Sequence, residues 1–84
     1  DLDFLEINEA FASVVAQPIK DLDYPLEKTN IHGGAIALGH PIGCSGARLT
    51  LTAAMELNRR GSGRAGVSLC GGGGQGDALL LYRD

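Results

Sequence analysis

Three shortages bound this chain before any motif is considered: no excess of positive charge, no long apolar run, and few cysteines. Seven Lys and Arg are outnumbered by ten Asp and Glu, giving a net charge of −3. The basic residues are scattered, so no patch forms and nucleic acid is not an expected partner. No apolar run approaches the ~20 residues of a membrane span, so a membrane is not expected either. A charged start followed by an apolar stretch, the mark of a secretory signal, is not present. Cys44 and Cys70 each sit beside glycine and form no disulfide framework. Free thiols in a reducing compartment, the cytoplasm, are the expectation.

What is abundant is glycine, 13 of 84 residues. A chain this short buries only ~60% of its unfolded surface, and so many glycines raise the entropy that a small core must offset. The chain also opens at Asp1 on an almost immediate apolar run, Phe4-Leu5-Glu6-Ile7. Residues 1–84 therefore read as a piece of a larger domain, with no internal repeat.

The pattern predicts an α/β fold. Phe4 to Ile7 reads as a strand. Asn8 is placed to cap a helix from Glu9 to about Gln17, with Ala10, Phe11, Val14 and Val15 on its core face and Pro18 closing it. Lys20 to Lys28 reads as surface and Asn30 to Cys44 as an apolar, buried loop. Ser45 is placed to cap a second helix ending at Arg59-Arg60-Gly61. Its narrow polar stripe (Arg48, Thr52, Glu56, Arg59) predicts a helix packed on most sides. Val67 to Cys70 and Ala78 to Tyr82 read as antiparallel strands around a glycine loop, Gly71 to Gly76.

Two places carry candidate chemistry. The first is the uncharged stretch Gly33-Gly34-Ala35-Ile36-Ala37-Leu38-Gly39-His40-Pro41-Ile42-Gly43-Cys44-Ser45-Gly46. A histidine held between glycine and proline has a fixed direction, and imidazoles titrate near neutral pH. The plainer reading is a core histidine bonded to a carbonyl. The second is Cys70, followed by four glycines whose N–H groups can face an oxyanion. A thiol near a histidine loop suits activation or proton transfer, and a buried inert cysteine is the alternative. Cys44 reads as a space-filling residue at a helix start.

Other motifs fail on context. Gly71, Gly73 and Gly76 satisfy G-x-G-x-x-G, but a strand-like Asp77-Ala78-Leu79-Leu80 follows where a phosphate-binding helix is required. Asp77 stands where a P-loop needs lysine. Ser45 lies in a near-match to G-x-S-x-G, yet both histidines are upstream. His32, His40, Cys44 and Cys70 match no familiar zinc spacing, so no metal is expected.

Asn8-Glu9-Ala10-Phe11-Ala12, then Gly34 to Gly43 with Ser45-Gly46-Ala47-Arg48, then Cys70 to Gly76 together resemble the C-terminal half of the thiolases. These are the acetyl-CoA acetyltransferases and 3-ketoacyl-CoA thiolases, and the resemblance covers nearly the whole chain. It implies part of a layered α-β-α-β-α fold with a mixed sheet and a buried helix. It also implies reversible thiolysis of 3-ketoacyl-CoA or Claisen condensation of acetyl-CoA. His40 would be the base that activates an upstream nucleophilic cysteine. Asn8, through a water, would join His40 in binding the thioester oxygen. Cys70 would be the second acid/base, and the Gly72 N–H would belong to the oxyanion hole of the acyl-enzyme. Ala10 and Phe11 would lie beside the thioester arm of the substrate.

Implied too are CoA and acyl-CoA as substrates with no separate cofactor, a homodimeric or homotetrameric parent, and a place in fatty acid and lipid metabolism. The nucleophile and most of the CoA-binding loop belong to the absent N-terminal half, so the 84-residue piece is expected to be inactive alone. Cys44 stands where alanine is commoner, and Gln75 and Asp77 replace the methionine and aliphatic residue of many members. A non-catalytic CoA-binding or assembly module of the same fold is the rival reading; a zinc-stabilised small domain is the third.

Overall fold

The computed structural model describes residues 2–72 and 75–84. Its elements are β1 (Phe4–Ile7), α1 (Ala12–Leu22), a 3-10 turn (Leu26–Lys28), α2 (Ala35–Leu38), α3 (Ser45–Arg60), β2 (Gly63–Gly72) and β3 (Gln75–Arg83). The strands form one mixed sheet in the order β1-β2-β3, with β1 parallel and β3 antiparallel to β2.

Alternation along β1 divides its side chains between two layers. Phe4 joins Leu49, Ala53 and Leu57 of α3 and Ala65 and Val67 of β2 in one core cluster. Leu5 and Ile7 join Val15 of α1 in the second, with Val14, Ile19 and Tyr24 packed against it. Two helices thus cover opposite faces of the sheet, and every residue of β1 is buried. That explains its nearly continuous apolar run.

Helix α1 starts three residues later than the sequence suggests and runs through Pro18. Asn8 is therefore not its cap; Phe11 takes that position with no side-chain bond. Pro18 removes one helical hydrogen bond without ending the helix, because Ile19 and Tyr24 still bury against β1. The stop falls at Asp23, in the left-handed region at φ 51°, where the Tyr24 N–H reaches the Ile19 carbonyl at 3.0 Å. Phe11, expected in the core, is 75% exposed because it precedes the first helical turn.

Helix α3 ends as predicted, with Gly61 at φ 88° and its N–H on the Leu57 carbonyl. Its cap is Cys44, which is exposed instead of filling space, and Ser45 is its first helical residue. Only one face of α3 is covered in this chain; Leu51 and Met55 are exposed. Glu56, assigned by periodicity to the polar stripe, is buried. The loop expected to be buried is exposed at Ile36, Leu38 and Ile42. β2 and β3 are longer than predicted and take up Gly71, Gly72, Gln75 and Gly76 of the expected glycine loop. Asp1, Gly73 and Gly74 lie outside the described residues.

Candidate active site

The site grows from the end of β1. The Asn8 N–H donates to the Ser68 carbonyl at 2.9 Å, continuing the parallel ladder one residue past the strand. Asn8 follows Phe4 and Glu6 on the α3 side of the sheet, where its side chain is fully buried. From the loop that follows the 3-10 turn, Asn30 clamps the same strand end. Its Oδ1 accepts the Ile7 N–H at 2.8 Å, and its Nδ2 donates to the Ile7 carbonyl at 2.9 Å and to Glu9 Oε2 at 3.1 Å. Asn30 sits at φ 49°, a conformation asparagine tolerates better than most residues.

Glu9 then fastens the histidine loop. Its Oε1 accepts the Ile36 N–H at 3.1 Å, in the first turn of α2. A Cβ on Gly34 would press into the Glu9 carboxyl and push it off this contact. Gly39, at φ 97°, turns the chain after α2 and presents His40. Asn8 Nδ2 lies 3.3 Å from His40 Nε2 and 3.4 Å from Nδ1, although 32 residues separate the two. Ser45 Oγ lies 2.5 Å from His40 Nδ1.

Behind Asn8 is a carboxyl that belongs to none of the three motifs. Glu6 is buried on the same face, with Arg48 Nη1 3.7 Å from its Oε1. Burial pushes the Glu6 carboxyl up to about 6, against the opposing pull of Arg48 and His32, while Glu9 adds to the rise. Both Glu6 oxygens, Asn8 Oδ1 and Arg48 Nη2 are buried with no hydrogen-bond partner among the described residues. His32 is the second unforeseen contact: its Nε2 lies 2.8 Å from Glu56 Oε1 and joins the loop to α3. Hydrogen bonds from Arg59, Arg60 and His32 hold the Glu56 carboxyl well below the usual carboxylate range.

Cys70 is exposed on β2, opposite Gly76 of β3. Leu69 packs with the α3 core, and alternation puts Cys70 on the other face. No hydrogen bond joins it to His40 among the described residues. The register slips between Cys70 and Gly72, the kind of irregularity that re-aims a strand beside a site. Ala10 and Phe11 follow Asn8 and are partly and largely exposed. Of the predicted residues, then, Asn8 and His40 meet, Cys70 and Gly72 stand together at the end of β2, and Ala10 and Phe11 flank the entrance to α1. Among the described residues, His32, His40, Cys44 and Cys70 form no cluster able to hold a metal ion.

Glu6 could have been found from its i, i+2 spacing to Asn8 in a strand, and Glu56 from Arg59 and Arg60 at i+3 and i+4. Nothing local announces Asn30 or the contact between Ser45 and His40.

A mixed sheet between two helices, with an amide and an imidazole meeting at one strand's end and a thiol at the next strand's end, places the chain in the α/β class. The chain belongs to the thiolase family: the family model for the thiolase C-terminal domain matches residues 1–83. It is 62% identical over 82 residues to a probable acetyl-CoA acetyltransferase of Mycolicibacterium smegmatis, spanning 98% of this chain and 21% of that protein. It is 51% identical over 81 residues to the human mitochondrial 3-ketoacyl-CoA thiolase, spanning 96% of this chain and 20% of that one. The crystal structure of the human enzyme in complex with CoA superposes with a TM-score of 0.92 at 48% identity, over 99% of this chain and 21% of that one. The Bacillus anthracis acetyl-CoA acetyltransferase superposes at 0.90 and 51% identity, over 96% of this chain and 21% of that one. The chain thus spans about a fifth of the length of the relatives it matches.

Proposed function

We propose that this chain supplies the histidine and cysteine acid/base residues of an acyltransferase that reversibly cleaves 3-ketoacyl-CoA or condenses acetyl-CoA. The observation that carries the reading is the meeting of Asn8 and His40 at 3.3 Å, from two of the three thiolase motifs. In condensation, His40 takes the thiol proton of a nucleophilic cysteine outside this segment; the thiolate takes the acyl group from its CoA ester, and the departing CoA thiolate receives that proton from His40. Cys70, as thiolate, removes the α-proton of acetyl-CoA. The resulting enolate attacks the acyl-enzyme carbonyl, forming the carbon–carbon bond and breaking the acyl–sulfur bond; the nucleophile leaves as a thiolate and takes up the proton that Cys70 removed. Cleavage runs the same steps backward. Asn8 and His40 polarise the thioester oxygen of the second substrate, and the Gly72 N–H serves the acyl-enzyme oxyanion. A preorganised donor of this kind is worth ~3 kcal/mol.

CoA and acyl-CoA are the substrates, and the chemistry calls for no further cofactor. Ala10 and Phe11 border the thioester arm, which fits a largely exposed Phe11. The partners are the rest of the thiolase chain and other copies of it, as a homodimer or homotetramer, in the fatty acid metabolism of the cytoplasm. The 84-residue segment by itself is inactive.

The test is thiolysis of acetoacetyl-CoA by a full-length thiolase carrying this sequence, with His40→Ala and Cys70→Ala beside it. Loss of at least ~10²-fold in each variant is expected, since a positioned acid or base contributes ~10²- to 10⁴-fold. An active enzyme indifferent to both changes would refute the assignment of the site. A folded but inactive wild type would favour the non-catalytic module.

A further inference from the structure

We infer that Ser45 is a positioning residue that fixes the tautomer of His40, holding the proton on Nδ1 and leaving Nε2 as the free base. The inference rests on the reading of His40 as an acid–base group and adds how that group is made ready.

The Ser45 hydroxyl decides the arrangement around the ring. Asn8 Nδ2, 3.3 Å from His40 Nε2, is an amide nitrogen and can only donate. It stands 3.4 Å from Nδ1 as well and can donate to whichever nitrogen is bare, so the Asn8 amide accommodates either tautomer. Ser45 Oγ lies 2.5 Å from His40 Nδ1 and 3.3 Å from the Pro41 carbonyl oxygen. That carbonyl only accepts, and it also takes the backbone N–H groups of Cys44 and Ser45 at 2.9 and 3.0 Å. With the Ser45 hydroxyl proton directed at Pro41, Oγ is left to accept from Nδ1–H. The second nitrogen of the neutral imidazole, Nε2, then carries the lone pair, and the Asn8 amide 3.3 Å away can donate to it. The tautomer of a histidine is set by the bond its other nitrogen makes. When Nε2 takes up a proton, the Nδ1–H to Oγ bond becomes charge-assisted and stronger.

Ser45 is built to hold this position. It is 1% exposed and sits in the first turn of α3, its own N–H tied to Pro41, so its hydroxyl cannot turn to bulk water. Serine at a helix start ordinarily caps backbone N–H groups. Here Cys44 occupies the cap and makes no side-chain bond, and the Ser45 hydroxyl faces the imidazole instead.

The experiment is 15N NMR of a histidine-labelled, full-length thiolase carrying this sequence, with kcat for thiolysis measured on the same samples. The His40 signal is assigned by its loss in His40→Ala. The neutral ring of the wild type should show the Nδ1-protonated form. Ser45→Ala should move the signal toward the Nε2-protonated form and lower kcat about 10- to 100-fold, in the range that loss of an imidazole's orienting partner costs. Ser45→Thr, which keeps the hydroxyl, should recover most of both. A wild type with the proton on Nε2 would overturn the inference, and this arm needs no Ser45 variant to fold. So would a Ser45→Ala enzyme unchanged in tautomer and kcat. Should His40→Ala stay active, the base assignment fails, while the spectrum still decides whether Ser45 sets the tautomer.

Discussion

Glu6 shows how one buried side chain imposes a pH dependence on the fold. Its carboxyl is raised from 4.5 to about 6, so over that interval the folded state binds more protons than the unfolded state. Stability from this group is therefore complete below about 4.5 and is lost as pH rises through about 6. The loss corresponds to about 2 kcal/mol, because each tenfold change in proton affinity is worth about 1.36 kcal/mol. Chemical denaturation of a full-length thiolase carrying this sequence, at pH 4.5 and at pH 7, should show Glu6→Gln gaining on the wild type by about that amount between the two. A constant difference at both values would mean that Arg48 already offsets the burial. Arg48→Met should push the carboxyl higher still, because its nearest opposite charge is gone.

At the scale of elements, the site depends on ties between segments distant in sequence. Asn30 bonds both backbone groups of Ile7 and also Glu9, and Glu9 in turn holds the start of α2. Removing the amide leaves a part-buried N–H and carbonyl at the very end of β1. Asn30→Ala should therefore lower stability by about 1–3 kcal/mol, the cost of leaving such groups unpaired. It should also lower kcat without abolishing activity, because Glu9 still reaches Ile36. Thermal melts and steady-state thiolysis on the same variant check both. Asn30→Asp, which keeps the acceptor for the Ile7 N–H but sets a carboxylate against Glu9, should do no better than alanine.

At the scale of the whole molecule, the described residues leave apolar surface bare on a loop, a helix face and an edge strand. Ile42 is 86% exposed, Leu80 72% and Tyr82 73%, and they lie on the histidine loop and the edge strand β3. Leu51 and Met55 add an uncovered face of α3. A solitary exposed leucine needs no explanation, but a helix face and an edge strand left bare together do. Excised as 84 residues, the chain should bind the dye ANS and self-associate, whereas the full-length protein should bind little dye and melt cooperatively. ANS fluorescence and sedimentation compare the two. A dye-free monomer from the excised segment would show that its own two core clusters suffice.

How much was legible in the sequence follows from the range over which each signal acts. Phe4–Ile7, the Gly61 stop of α3 and the antiparallel β2–β3 pair are local: an apolar run, a left-handed glycine, strands joined by a short connection. The three motif segments likewise pointed to the thiolase family, and His40 and Asn8 could be named from them. Local rules misplaced Asn8 and Ser45 as helix caps, Pro18 as a stop and Phe11 as core, because a cap is worth about 1 kcal/mol and a proline inside a helix costs about 3 kcal/mol, amounts that packing can override. Burial of Ile19 and Tyr24 carried α1 past its proline. Only the tertiary structure could bring Asn8 to His40, tie Glu9 and Asn30 across the loops, and leave the Ser45 hydroxyl on an imidazole. Hydrogen bonds between residues 21 to 32 positions apart leave no periodicity in a sequence; they exist once two layers of side chains have fixed where each loop must lie.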